Sequence, residues 1–237
     1  MKKKTLLVLM TVICGTAGAY AMAGGNTGQG GGEKPEGEVA APEMVRLKPE
    51  LPKPLFAGTP VPVKLPNLES RDEPRGEIMV PGGTQLLSEN KPVSASDPFP
   101  VIGELEMVSD GDKSGEAGHF VELGPGVQWV QIDLEQKAEL HAILVWHFHR
   151  QARAYHDVIV QVSDDPDFIE GVQTIFNNDH DNSAGMGAGT DPAYIETYEG
   201  RMIDPMGVEG RYVRLYSNGN TSDEMNHYVE VSVYGIP

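Results

Sequence analysis

Beyond about Gly83 the apolar residues fall in short runs broken by Gly, Asp and Asn, and several of those runs alternate with polar positions. In RYVRLYS (residues 211–217), Tyr212, Arg214 and Tyr216 oppose Val213 and Leu215, and in VEVSVYG (229–235), Val229, Val231 and Val233 share one parity. Alternation of period two places successive side chains on opposite faces of a strand. HFVEL, VQWVQIDL, ELHAILVWHF, DVIVQVS, TIFN, YIETYEG, RYVRLYS and HYVEVSVYG are therefore read as strands, with no long amphipathic helix between them. Short strands at such spacing predict an all-β domain of two packed antiparallel sheets.

Before residue 83 neither periodicity is visible. Thirteen of the 18 prolines lie between Pro35 and Pro100, whereas all seven histidines and both tryptophans follow residue 118. Residues 24–44 form a Gly-rich tether, and LKPELPKPLFAGTPVPVKLPNLE (47–69) reads as an extended strap. Composition leaves two readings open: a disordered linker, or a strap that lays Leu55, Phe56, Val61, Val63 and Leu65 across the folded domain. The first 23 residues put three lysines before a short apolar run and end in Ala21-Met22-Ala23, the pattern of a secretory signal peptide. The expected organisation is signal peptide 1–23, tether and strap 24–82, and sandwich 83–237.

The chain carries 18 basic and 35 acidic side chains, a net charge of -17. Losing the three lysines of the signal moves this to about -20. Such a charge repels phosphate backbones and anionic lipids, which argues against nucleic acid and membrane insertion, and it suits divalent cations. The one cysteine, Cys14, lies in the signal, so a secreted or periplasmic mature chain has no disulfide. A lipoprotein acylated at Cys14 is the less favoured alternative, because Thr11-Val12-Ile13 is bulky where small residues are wanted.

Several phrases occur in the order in which the discoidin (coagulation-factor C-type) domains of the galactose-binding-like superfamily carry theirs: LLSENKPVSAS, MVSDGDKSG, VQWVQIDLEQKAELHAILVWHFH, YHDVIVQVSDDPDF, GRYVRLYSNGN and HYVEVSVYG. Residues 84–236 resemble that family. The resemblance implies an antiparallel jelly-roll β-sandwich, usually a noncatalytic module whose end loops hold a ligand such as a sugar, a lipid or a protein. It also implies a structural calcium held by the loop at SDGDKSG together with Glu230.

The residues of that loop support the cation independently. Asp110, Asp112 and Ser114 recur at every second position before Gly115, so their oxygens can converge, although Val121 stands where an EF-hand has its glutamate. Asp179, Asp181 and Ser183 repeat the spacing, with Ala184 in place of the turn glycine. In ELHAILVWHFH, strand parity puts Leu144, Trp146 and Phe148 on one side, as core, and Val145, His147 and His149 on the other. His147 and His149 are then roughly 7 Å apart, a spacing that suits zinc or copper if Asp179, His180 or His156 supplies a third ligand. The same histidines, with Arg150, Arg153, Tyr155, His156, Asn218 and Asn220, otherwise form a recognition surface that hydrogen-bonds and stacks on a carbohydrate. Arg153 paired with a nearby Asp, and Tyr155 capping the core, would instead be structural.

There is no nucleophile elbow, cysteine nucleophile or phosphate loop. The favoured reading is a secreted, noncatalytic carbohydrate-binding module with a structural calcium. The alternatives are a zinc- or copper-dependent protein or hydrolase centred on His147 and His149, and a structural module that contacts proteins of the cell envelope.

Overall fold

A computed structural model describes residues 41–56, 62–70 and 75–237; the expected signal peptide with Cys14, the tether to residue 40, and Val61 lie outside the described residues. The strands are β1 (Met44–Leu47), β2 (Ile78–Pro81), β3 (Gln85–Leu86), β4 (Val93–Ala95), β5 (Val121–Leu123), β6 (Gln128–His147), β7 (Ile159–Ser163), β8 (Gln173–Asn177), β9 (Arg201–Ile203), β10 (Glu209–Ser217) and β11 (Asn226–Ile236). All the strand pairings are antiparallel. The only helical element among the described residues is a 3-10 turn at Leu105–Val108.

Strand β6 organises the molecule. VQWVQIDL and ELHAILVWHF, expected as two strands, run as a single strand of 20 residues. In the polar stretch between them the strand continues through Glu135, which takes a left-handed φ of 64° while its amide donates to Asp133 Oδ1 at 2.7 Å. The first half of β6 pairs with β4 and β10, and the second half with β9 and β11. These strands form one continuous nine-stranded sheet in two layers that share β6: β4-β6-β10-β7-β8 in the first, and β9-β6-β11 with β3 and β5 along the far side of β11 in the second. Val130, Ile132, Val160, Val162, Val213 and Leu215 of the first layer bury against Ile143, Val145, Val231 and Val233 of the second. This is the antiparallel β-sandwich that the alternation predicts.

One parity differs from expectation. The register shifts between Tyr228 and Glu230, so Val229 joins the outer cluster with Ala142, Leu144 and Trp146, while Val231 and Val233 face inward. One extra residue in a strand inverts the side-chain parity beyond it. Trp146 is fully buried, but on the outer face of its sheet and not between the layers.

What buries it is the proline-rich segment. Strands β1 and β2 pair, and Ile78 and Val80 pack into the cluster of Leu144 and Trp146. Further along the strap, the Glu69 amide donates to the Ala193 carbonyl at 2.9 Å, and Arg75 donates to the carbonyls of Glu199 and Gly200 at 2.7 and 3.1 Å. Of the two readings left open by composition, the described parts of the strap take the docked one. YIETYEG is not a strand: it is irregular chain, anchored where Trp146 Nε1 donates to the Tyr198 carbonyl at 2.9 Å. Gly200 ends it at φ +69, where a Cβ would stand 2.6 Å from the indole. Strand β9, which the sequence did not announce, follows directly.

Candidate functional site

The histidines that opened the metal reading are both buried, in different surroundings. His147 ends β6 inside the sandwich, stacked on Tyr155 at a centroid distance of 4.4 Å, with Nδ1 2.8 Å from Glu196 Oε1. His149, just beyond the strand, donates from Nε2 to the Lys113 carbonyl at 2.9 Å. Among the described residues neither belongs to a set of three His, Cys, Asp or Glu ligands whose atoms lie within 4.8 Å of one another. The zinc or copper centre expected from their spacing is not assembled, because parity on one strand does not supply a convergent third ligand.

The surrounding recognition residues divide. Arg153 is buried; it donates to Gln151 Oε1 at 2.8 Å, lies over the Phe148 ring at 4.7 Å and reaches Asp223 at 3.4 Å. Tyr155 is buried, its hydroxyl 2.8 Å from His227 Nδ1. Asn220 closes its own loop through Asp223 and the Met225 carbonyl. All three are engaged in contacts within the protein. Arg150 is partly exposed, 3.9 Å from Glu116, and His156 binds the 218–219 turn through its backbone.

Asn218 donates to Asp157 at 2.8 Å, and Ser183 does so at 2.7 Å. The carboxylates of Asp157, Asp179 and Asp181 approach within 4.8 Å of one another. The buried Asp179 accepts the amides of Ser183 and Ala184, so the cluster ties three loops together with donors of its own. His180 stands beside it with Nε2 buried and without a hydrogen-bond partner among the described residues.

The structure builds a cleft that the sequence did not show. It encloses about 380 Å³ between Pro54, Leu55 and Phe56 of the strap and the chain from Ile195 to Glu199. Leu55 and Phe56 are 45% and 49% exposed and form its rim. His149 and Glu196 line it from beneath, 3% and 4% exposed. His149 Nδ1 and Glu196 Oε2 have no hydrogen-bond partner among the described residues. Burial holds the His149 imidazole below its ordinary pKa, against the opposing pull of the Lys113 carbonyl and the Glu196 charge. Of these residues the sequence marked His149 as a candidate ligand-binding residue and Leu55 and Phe56 only as strap positions. Glu196 and Glu199, the two acids inside a run read as a strand, were the signal available for the rest.

The calcium implied by the family resemblance needs oxygens that converge on Glu230. In one respect the residues fit. Glu230 is fully buried under the 110–114 loop, and burial pushes its carboxyl up to about 7, despite the Lys113 ammonium and the Gly111 amide at 3.0 Å. The Asp110 charge pushes it in the same direction. Asp112 does not fit as expected: its carboxyl faces the Ser114 amide at 2.8 Å and His119 at 3.0 Å. Glu230, Asp110 and Ser114 with loop carbonyls would hold the ion, which would supply the missing positive charge.

Behind the cleft, buried polar groups run on from Tyr155 to His227 and from His227 Nε2 to Glu122 at 3.0 Å. Burial first, and then the Arg153 charge, lowers His227 to about 4. An unfolded histidine titrates near 6.5, so between these values the unfolded chain binds more protons and stability falls as pH falls. His227 should therefore cost stability as pH is lowered from 6.5 to 4, opposite in sign to the buried Glu230 over the same range, so its share is read as the slope lost from the melting curves in His227→Gln relative to the parent. A slope unchanged by the substitution would assign the loss to other groups.

No protein-family model matches the chain, and no curated protein matches it. Solved structures do resemble it. The CBM32 domain of AlyQ in complex with 4,5-unsaturated mannuronic acid is 15% identical, with 60% of this chain and 92% of that chain covered and a TM-score of 0.43. Chitosan-binding module 1 of a chitosanase/glucanase from Paenibacillus sp. IK-5 is 19% identical over 64% and 99%, at 0.43. A fucose-binding module from Streptococcus pneumoniae is 19% identical over 65% and 99%, at 0.45. At this distance the ligand named for each belongs to that protein.

Proposed function

We propose that the protein is a noncatalytic module that binds carbohydrate in the cleft between the strap and the chain at 195–199. The carrying observation is the cleft itself: concave, near the lower end of the size range of small-ligand sites, apolar at its rim, with polar side chains among its lining. Sugars match that composition, since an apolar ring face can rest on Phe56 while hydroxyls meet the Thr197, Tyr198 and Glu199 side chains of the lining. The discoidin-like phrases of the sequence support the same reading. A signal peptide at residues 1–23 would deliver the module to the periplasm or cell exterior, and a structural calcium at Glu230, Asp110 and Ser114 would brace the 110–114 loop.

A glycan array followed by calorimetry on the strongest hit tests the reading. Phe56→Ala removes half-exposed surface, so its melting temperature should stay within about 2 °C of the parent while affinity falls about tenfold, the loss expected of one stacked ring. Saturable binding that Phe56→Ala leaves untouched would move the site elsewhere.

A further inference from the structure

A second cavity adjoins the cleft, and the two share a wall. It encloses about 480 Å³ between Glu69 and Arg75 of the strap and residues from Tyr194 to Met202. Ile195, Glu196, Thr197 and Glu199 line both cavities, so the same short stretch of chain borders each. The strap also borders both, with Pro54, Leu55 and Phe56 at the first and Glu69 and Arg75 at the second.

The shared wall is anchored along its length. The Glu196 amide donates to the Arg153 carbonyl at 2.9 Å, the Trp146 indole to the Tyr198 carbonyl at 2.9 Å, and the Gly200 amide to the Thr197 carbonyl at 3.0 Å. On the far side Arg75 donates to the Glu199 and Gly200 carbonyls, which fixes the second arm of the strap. Walls that are set before binding spare a long ligand the cost of ordering them.

The two halves differ in character. Leu55 and Phe56 make the first apolar at its rim, whereas Glu69, Arg75 and Arg201 make the second polar. Between them Thr197 and Glu199, both partly exposed, present a hydroxyl and a carboxylate to a molecule that crosses the wall. A single sugar would occupy one cavity and leave the larger one unused. A chain of linked sugars, each with an apolar ring face and a rim of hydroxyls, meets both kinds of surface in succession.

We infer that the protein binds a carbohydrate chain along its length, across both cavities, and not a single terminal sugar. This rests on the carbohydrate reading above and adds the class of ligand to it. The test is a glycan array on which each sugar is printed singly and as chains of increasing length. Calorimetry then compares the best chain and its shortened fragments on the parent protein, Phe56→Ala, Met202→Ala and Glu69→Gln.

Affinity is expected to rise about tenfold from the single sugar to the full chain, the gain of one further well-contacted ring, and then to level off. Phe56→Ala, at the first cavity, should weaken every length. Met202 and Glu69 line only the second cavity. Their variants should erase the gain with length while the shortest fragment keeps the parent's affinity, which also reports an intact fold. Single sugars binding as tightly as their chains would overturn the inference and leave the carbohydrate reading standing. An array without any hit would sink both. A gain with length that survives in both second-cavity variants would also overturn it, since the chain would then run elsewhere. Should Met202→Ala lose the fold, Glu69→Gln, which keeps an oxygen for Arg201, decides alone.

Discussion

Trp146→Ala will cost about 3–5 kcal/mol of stability, the usual range for truncating a buried tryptophan, and will abolish ligand binding in whatever folded protein remains. The indole is wholly buried and is the joint between three parts of the chain. It lies in one cluster with Ile78 and Val80 of the strap, it anchors the Tyr198 carbonyl at 2.9 Å, and it stands against Gly200, where even a methyl group would approach to 2.6 Å. Removing it therefore frees one wall of the cleft and loosens the support of the other. Chemical denaturation gives the stability, and calorimetry on the array hit gives the binding. Trp146→Phe is the control: it keeps much of the packing but leaves the Tyr198 carbonyl unpaired. Stability near the parent's in Trp146→Ala would mean that the strap is not held by this cluster.

Chelation is the second large effect. If calcium neutralises Glu230, saturating it at about a hundred times its dissociation constant contributes about 2.7 kcal/mol. For a domain of this size that corresponds to a melting temperature about 5–10 °C lower in excess chelator. The sign follows from the buried acid. Without an ion, a carboxyl raised to about 7 favours its neutral form, so the folded state loses stability as pH rises from 4.5 through 7. With calcium that loss is offset at neutral pH. Glu230→Gln keeps the hydrogen bond to Ser232 within reach but removes the charge, so its melting curve should be indifferent to both chelator and calcium. A parent protein equally indifferent would show that Glu230 is held as a protonated acid, with no cation in the loop.

How much of this was legible varies from residue to residue. RYVRLYS could be read directly because Val213 and Leu215 lie on an unbroken stretch of β10 beside β6 and β7. The same rule failed at Val229, where the register shift reverses parity and nothing in VEVSVYG marks it. Arg153 and Tyr155 carry the chemistry of a recognition surface but serve as buried supports, and side-chain type alone does not separate the two. The spacing of Asp179 and Asp181 did indicate a carboxylate cluster, yet its third member, Asp157, arrives from another loop. The cleft was least legible. Its lining joins Leu55 and Phe56 of the strap to the chain at 195–199, segments far apart in sequence that no periodicity connects.

The continuity of β6 has a consequence for how the protein comes apart. One strand is the neighbour of β4 and β10 in one layer and of β9 and β11 in the other, and it is joined to partners distant in sequence at both ends. Neither layer can peel away as an independent unit without stripping an edge from its counterpart, so the two layers share one cooperative transition. Such non-local pairing also places the fold among the slow ones, since long loops must close before either half of β6 gains its neighbours.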